Sequence, residues 1–307
     1  MIEEDEVTER RLMNIPIPGG RHGLFERLFG ELRPKLHRYC ARMTGSVFDG
    51  EDVLQEALAK AIEALPVAGP IANPEGWLFR IAHNAALDFL RRRAREQAYS
   101  DEDLDMIADP ANPTIDRQAA SAGLHTFMRL PVTQRSSVIM MDVLGYSLQE
   151  ISATLDTSIP AVKAALHRGR DRLRQIAHEP DDRPLPRLGA AERQLLNAYI
   201  DRFNARDFDA VRDMLAEEVR LELVAKTRLN GRKEVGTYFG NYSRVRDWHL
   251  VPGFVENRPA ILVRDPNDPA ARPAYFILLA WQDGKLAAIR DFRHARYVAD
   301  SAELLVL

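Results

Sequence analysis

Residues 145–175 read GYSLQEISATLDTSIPAVKAALHRGRDRLRQ, and their punctuation decides the architecture of the segment around them. Ser147 followed three residues later by Glu150 is a capping box, predicting a short helix through Leu155. Asp156 and Thr157 form a turn, and Thr157 or Ser158 caps a second helix carrying Pro160 in its first turn, where the missing amide proton costs nothing. Two helices joined by so short a turn predict a helix-turn-helix. In the second helix Ile159, Val162, Leu166, Leu173 and Ile176 fall on one side, while Lys163, His167, Arg170 and Arg174 recur three or four apart on another. A recognition helix needs such a basic face to neutralise phosphates and reach base edges. An exposed amphipathic helix whose arginines are solvated or paired with Asp171 has the same pattern.

Working outward, residues 121–178 form one helical block and residues 22–97 another. In the latter, Leu24, Phe25, Leu28, Phe29, Leu32 and Leu36, and then Val53, Leu54, Ala57, Leu58, Ala61 and Ile62, recur at helical spacing. Pro66, Pro70 and Pro74 predict a rigid loop before a helix that starts near Pro74. That helix, PEGWLFRIAHNAALDFLRRRARE (residues 74–96), carries a polar stripe of Arg80, Asn84, Asp88, Arg91 and Arg95, with Arg92 and Arg93 alongside. Aromatic residues beside cations suit unpaired bases. Equally, Trp77 and Phe79 suit core anchors.

Residues 1–21 read as an acidic tail, 98–120 as an acidic linker and 179–189 as a Pro-rich linker. From residue 190 the pattern changes: two helical stretches and the helix GRKEVGTYFGNY accompany alternating segments VRLELVA, DWHLVPGFVEN, AILVRD, AYFILLAWQ and LAAIRDFRHARYV, with Asp283-Gly284 as a hairpin turn. Residues 190–307 are therefore expected to be α+β. In the last expected strand Ile289, Asp291, Arg293 and Tyr297 share a face, with Trp248, His249, Tyr275 and Trp281 as candidate pocket walls. An Asp two residues from an Arg reads as a structural ion pair or as a proton-transfer acid.

The 307 residues carry a formal net charge of −3 and a single cysteine, Cys40, which excludes an internal disulfide and a multi-cysteine metal cluster. Weak net charge excludes an indiscriminate polyanion binder and leaves local basic surfaces open. No apolar run approaches the ~20 residues of a spanning helix and the acidic start lacks a signal-peptide pattern, so a cytoplasmic protein without membrane contact is expected. No metal or cofactor is expected.

The run DGEDVLQEALAKAIEAL followed by NPEGWLFRIAHNAALDFLRRRARE resembles region 2 of bacterial sigma-70 factors of the extracytoplasmic-function (ECF) group, and LPVTQRSSVIMMDVLGYSLQEISATLDTSIPAVKAALHRGRDRLR resembles region 4. Residues 190–300 resemble a SnoaL-like α+β cone, an extension that some ECF groups carry fused; of the glycine-rich motif of one such group only Asn230, Gly231 and Arg232 stand near the expected place. The resemblance implies a multidomain chain with two all-α sigma domains, a region 2 helical bundle and a region 4 helix-turn-helix, plus the cone. It implies core RNA polymerase and promoter DNA as partners, with contacts to the β′ clamp helices and the β flap and no catalysis by the sigma domains. Asp49, Glu51, Asp52, Gln55 and Glu56 would face the clamp helices, although an acidic solvated face reads the same. Trp77, Arg80, Asn84, Asp88, Arg91 and Arg92, with the loop 66–76, would hold the melted minus-10 element. Lys163, His167, Arg168 and Arg170 would grip the minus-35 duplex. The cone would modulate the other two domains, bind a small-molecule ligand, or serve as a docking module.

Overall fold

The computed structural model describes residues 21–98, 123–179, 186–268 and 272–307. The chain divides into two compact units, Gly20–Asp182 and Arg183–Leu307. The acidic tail, the acidic linker and most of the Pro-rich linker lie outside the described residues. No helix among the described residues is long and apolar enough to cross a membrane.

The first unit opens with α1 (Arg21–Thr44), α2 (Val47–Ala64) and α3 (Pro74–Ala98). Gly45, at φ +80°, ends α1, and the Ser46 hydroxyl accepts the first free amides of α2 from Phe48 and Asp49. α1 and α2 approach so closely at Gly50 that an added Cβ would lie 2.5 Å from the Cα of Ala41, so only glycine fits there. Leu36, Tyr39, Phe48, Leu54, Leu78 and Phe79 are buried in the core of this bundle. Phe79 is thus the core anchor that the aromatic pair offered.

The same unit continues through α4 (Leu124–Met128), α5 (Val132–Val138), a π-helical turn at Ile139–Val143, α6 (Leu148–Thr154) and α7 (Ile159–Ala177). The capping box is formed: the Glu150 amide donates to Ser147 Oγ, and the Ser147 amide donates to Glu150 Oε2 at 2.8 Å. Ser158, not Thr157, caps α7, and Asp156 makes the turn at φ 51°. Val162, Leu166, Leu173 and Ile176 are buried and Ile159 is half-buried.

One buried arginine joins the two helical blocks. The Arg135 guanidinium, on α5, donates to the carbonyls of Met43 on α1 (2.6 Å), Leu130 (2.9 Å) and Met128 (3.2 Å). Burial lowers its pKa to about 10, which leaves it charged at neutral pH. The blocks read as separate domains in sequence lie within one compact unit, and this buried cation holds carbonyls of both.

The second unit begins with α8 (Ala190–Asn204) and α9 (Phe208–Asp213). Then come β1 (Leu215–Leu223), β2 (Thr227–Asn230), α10 (Gly231–Arg244), β3 (His249–Val255), β4 (Arg258–Arg264), β5 (Tyr275–Gln282), β6 (Lys285–Asp291), α11 (Tyr297–Ser301) and β7 (Leu304–Val306). The sheet order is β2-β1-β6-β5-β4-β3-β7, antiparallel except for the parallel pair β1–β6. The expected α+β architecture is present. Asp283 and Gly284 both take positive φ, the geometry of a two-residue hairpin turn.

Two details depart from expectation. The second of the two helical stretches expected after residue 190, FDAVRDMLAEE (residues 208–218), stops at Asp213 and continues as strand β1. The last long strand ends at Asp291, because the Asp291 carboxylate accepts the Arg293 amide at 2.8 Å and turns the chain, with Phe292 packed on Phe276 at 4.3 Å. Tyr297 therefore starts a helix and does not share a strand face with Asp291.

Candidate nucleic-acid interface

On α7, Lys163 and Arg168 are exposed and make no ion pair among the described residues. The exposed His167 lies with Nδ1 3.0 Å from the buried Asp171, and Arg174 pairs with the same carboxylate. Arg170, expected to grip DNA, instead clamps Asp142, with Nε 2.9 Å from Oδ2 and a second nitrogen on Oδ1. The π-helical turn places that Asp142 carboxylate, only 1% exposed, against α7. Arg170 thus ties α7 to the π-helical turn. Gly169 beside it faces Val138, whose side chain a Cβ would meet at 2.8 Å, so the back of α7 is seated on α5.

The α3 cations are arranged differently. Arg92 pairs with Glu56 at 2.9 Å and Arg93 with Asp49 at 3.0 Å, while Lys60 bridges Glu56 (2.8 Å) and Asp88 (3.6 Å), and Asp88 also meets Arg91 at 3.2 Å. Two residues expected to meet polymerase, Asp49 and Glu56, are therefore ion-paired with arginines beside the expected DNA stripe. Hydrogen bonds from Arg92 and Lys60 hold the Glu56 carboxyl below its usual range. Gln55 donates to the buried Glu51, which also receives Arg33 at 3.1 Å, so Glu51 is structural. Asp52 is exposed.

At the start of α3, Trp77 is half-buried and edge-on to Phe25 at 6.2 Å. Asn84 is exposed. Arg80 is exposed too, but its guanidinium donates to the Ala153 carbonyl of α6. On the inner side His83 sits 2.7 Å from the Tyr39 hydroxyl, and burial, aided by Arg91, lowers its pKa to about 4. In the loop before α3, Val67 is 86% exposed, an apolar side chain offered to solvent that the proline pattern alone did not single out.

In the second unit the expected pocket residues separate. Trp248, Tyr242 and Phe203 pack edge to face, with Phe203–Trp248 at 4.9 Å and Phe203–Tyr242 at 5.1 Å, so Trp248 belongs to a buried aromatic cluster. Asp291 is fully buried and accepts the hydroxyls of Tyr238 and Tyr242, the latter at 2.8 Å. Burial raises its pKa, with these hydrogen bonds opposing. The expected Asp291–Arg293 ion pair does not form: the Arg293 guanidinium donates to Asp247 at 3.0 Å and to the Tyr275 hydroxyl at 3.0 Å. Burial and Asp291 push the Tyr275 phenol up to about 12. His249 is exposed and Trp281 half-buried. A groove of about 640 Å³ lies elsewhere, lined by Leu195, Ala198, Arg202, Met214 and Lys285 among others, and by none of the expected pocket residues. No cluster of metal-ligating side chains occurs among the described residues.

The first unit thus combines a capped helix-turn-helix with a cation-rich helix beside an aromatic anchor. Family models described as "Sigma-70 region 2" and "Sigma-70, region 4" match residues 28–96 and 124–173. The ECF RNA polymerase sigma factor SigM of Mycobacterium tuberculosis is 32% identical over 171 residues, covering 56% of this chain and 85% of that protein. The RNA polymerase sigma factor CarQ of Myxococcus xanthus is 32% identical over 161 residues, covering 52% and 92%. The chain belongs to the ECF RNA polymerase sigma factors. Among solved structures, Mycobacterium tuberculosis SigJ covers 86% of this chain and 95% of its own at 20% identity and a TM-score of 0.36. A SnoaL-like protein from Burkholderia thailandensis covers 39% and 98% at 20% identity and a TM-score of 0.28.

Proposed function

We propose that this chain binds core RNA polymerase and directs it to promoters, α3 and the loop before it holding the melted minus-10 strand and α7 reading the minus-35 duplex. The observation that carries the reading is the pair of exposed cations Lys163 and Arg168, without an ion pair among the described residues, on a doubly capped helix-turn-helix whose Arg170 is held by Asp142. Such a helix offers two phosphate or base contacts while the Arg170–Asp142 pair ties it to the turn behind it. The acidic helix α2 supplies Asp49, Asp52, Gln55 and Glu56 to the β′ clamp helices, region 4 meets the β flap, and the polymerase provides the chemistry.

The second unit acts as a regulatory module and not as an enzyme. That reading is supported by the buried aromatic cluster and by Asp291, which accepts two phenols and an amide. Any small-molecule ligand enters at the groove by Leu195 and Met214. The test is run-off transcription from a genomic promoter library with core polymerase and the full chain. Specific initiation that vanishes without the chain supports the reading, and a chain that neither co-purifies with core polymerase nor changes its initiation sites overturns it. Turnover by the chain alone, lost in Asp291→Asn, would overturn the assignment of the second unit.

A further inference from the structure

Helix α8 is apolar on two sides. Leu196, Tyr199, Ile200 and Phe203 are buried on the side that packs into the second unit. Leu195, Ala198 and Arg202 follow one another at spacings of three and four residues, which sets them on a second stripe outside that core. The stripe lines the groove of about 640 Å³, together with Asp213 and Met214 at the end of α9 and Lys285 of the β5–β6 hairpin. The hairpin is tied to the end of α9, because the Leu286 amide donates to the Met214 carbonyl at 2.8 Å and the Lys285 ammonium to the Asp213 carbonyl at 2.8 Å. Met214 is buried and Leu195 and Ala198 are half-buried, so part of the lining is apolar. Its charge is one-sided. Arg202 is exposed, and neither it nor Lys285 makes an ion pair among the described residues. Asp213, the acid among the lining residues, is paired with Arg232 at 3.0 Å, and the same guanidinium holds Glu217 at 3.1 Å.

We propose that this groove binds an amphipathic carboxylate, its apolar body lying on Leu195, Ala198 and Met214 and its head taken by Arg202 and Lys285. The proposal deepens the reading of the second unit as a regulatory module and rests on it for the ligand's effect on transcription. The size fits, since small-molecule sites span about 300–1,000 Å³. The lining fits as well, with an apolar surface beside a few polar groups that fix orientation. A guanidinium pairs with a carboxylate through two parallel hydrogen bonds, and an ammonium adds donors without a fixed plane. Two cations with no carboxylate of their own repel a cationic ligand and gain little from a neutral one. A small hydrophilic anion such as phosphate leaves Leu195 and Met214 in contact with water, so the apolar surface favours a ligand with a body. Met214 can follow the shape of that body, because its unbranched thioether side chain rotates freely and polarises easily. The cluster around Asp291 lines no part of the groove, so the site is separate from the pocket expected inside the cone.

The test uses the full chain with isotope-labelled methionine methyl groups, titrated with decanoate and naphthoate as flexible and flat carboxylates, and with decanol and decylammonium as controls. At least one carboxylate should shift the Met214 methyl resonance, identified by its loss in Met214→Leu, and should do so saturably. It should bind about tenfold more tightly than decanol or decylammonium, the effect of one hydrogen bond to a charged group. Arg202→Gln and Lys285→Gln should each weaken the carboxylate by about tenfold and leave decanol unchanged, a selectivity that loss of folding does not produce. Ala198→Phe, which fills the groove, should abolish binding. An undisturbed Met214 resonance, equal affinities for decanoate and decanol, or an affinity that ignores both cation substitutions overturns the site. A dimer that Ala198→Phe dissociates, with no carboxylate bound, gives the groove to a second copy and overturns it too. The regulatory reading fails separately: run-off transcription with core polymerase should change at saturating carboxylate in the native chain and not in Arg202→Gln. Saturable binding at Met214 with unchanged transcription keeps the site and overturns its regulatory role.

Discussion

Helices α3 and α7 both carry runs of cations toward their C-terminal ends, yet the tertiary structure treats them in opposite ways. On α3, Arg91, Arg92 and Arg93 face Asp88, Glu56 and Asp49 in a ladder of exposed ion pairs shared with α2. On α7, Arg170 and Arg174 are drawn inward onto Asp142 and Asp171, and Lys163 and Arg168 are left to solvent. The histidines follow the same division. His83 on α3 is held nearly neutral against Tyr39, whereas His167 on α7 sits exposed beside Asp171. A cationic helix that carries its own counter-charges must exchange them before it can meet phosphate. One that leaves cations exposed, without an ion pair among the described residues, needs no such exchange.

The largest expected effect is on α7. Lys163→Ala and Arg168→Ala should each weaken minus-35 duplex binding by roughly tenfold or more, at about 1–3 kcal/mol per lost contact, and a lost phosphate contact should reduce the salt slope by about 0.9. Binding titrations between low and moderate salt measure both. Arg170→Ala should instead lower the melting temperature, because it leaves the buried Asp142 carboxylate uncompensated; a variant with wild-type stability and reduced duplex affinity would return Arg170 to the DNA surface.

Next in size is the pH response of the α3 seat. The folded pKa of His83, about 4, lies below its ordinary value of 6.5, so the unfolded chain binds the extra proton between those values. The stability linked to a neutral His83 is fully present above pH 6.5 and is lost as pH falls toward 4, by up to about 3 kcal/mol. His37, also lowered by burial, adds to the trend. Denaturant melts of His83→Gln should show a flatter profile over that range, and an unchanged profile would show that His83 does not carry the pH response.

The smallest effect concerns the ladder. Glu56→Gln removes the partner of two exposed cations, so its stability cost should stay within about 0.5 kcal/mol. Single-strand affinity of the free chain should rise by about two- to threefold as Arg92 is released, while polymerase affinity falls. A fall in both affinities would show that the ladder orders α3 for DNA and does not compete with it.

Much of this molecule was legible along the chain because its signals are local. The Ser147–Glu150 box, the Ser158 cap with Pro160, the helix start at Pro74 and the Asp283-Gly284 turn act within a few residues, so their spacing alone specifies the geometry. The apolar face of α7 was legible for the same reason. The Arg170–Asp142 pair was not legible because a period of three or four places a residue on a helix face without saying what stands opposite, and Asp142 is 28 residues away. Arg293 was misread similarly, since strand β6 ends two residues before it and its partner Asp247 is 46 residues away.

By itself, the sequence determined the order of modules, their helical or α+β character and the family, because these follow from periodicity, caps and runs of matching residues. Only the tertiary structure decided which charges are spent. Arg135 riveting region 4 to α1, Glu75 shared by Lys35 and Tyr146, and Asp291 enclosed by Tyr238 and Tyr242 are all contacts between distant segments. A charge in a sequence carries no record of its partner. Burial and distance determine whether it holds the fold together or remains available to bind.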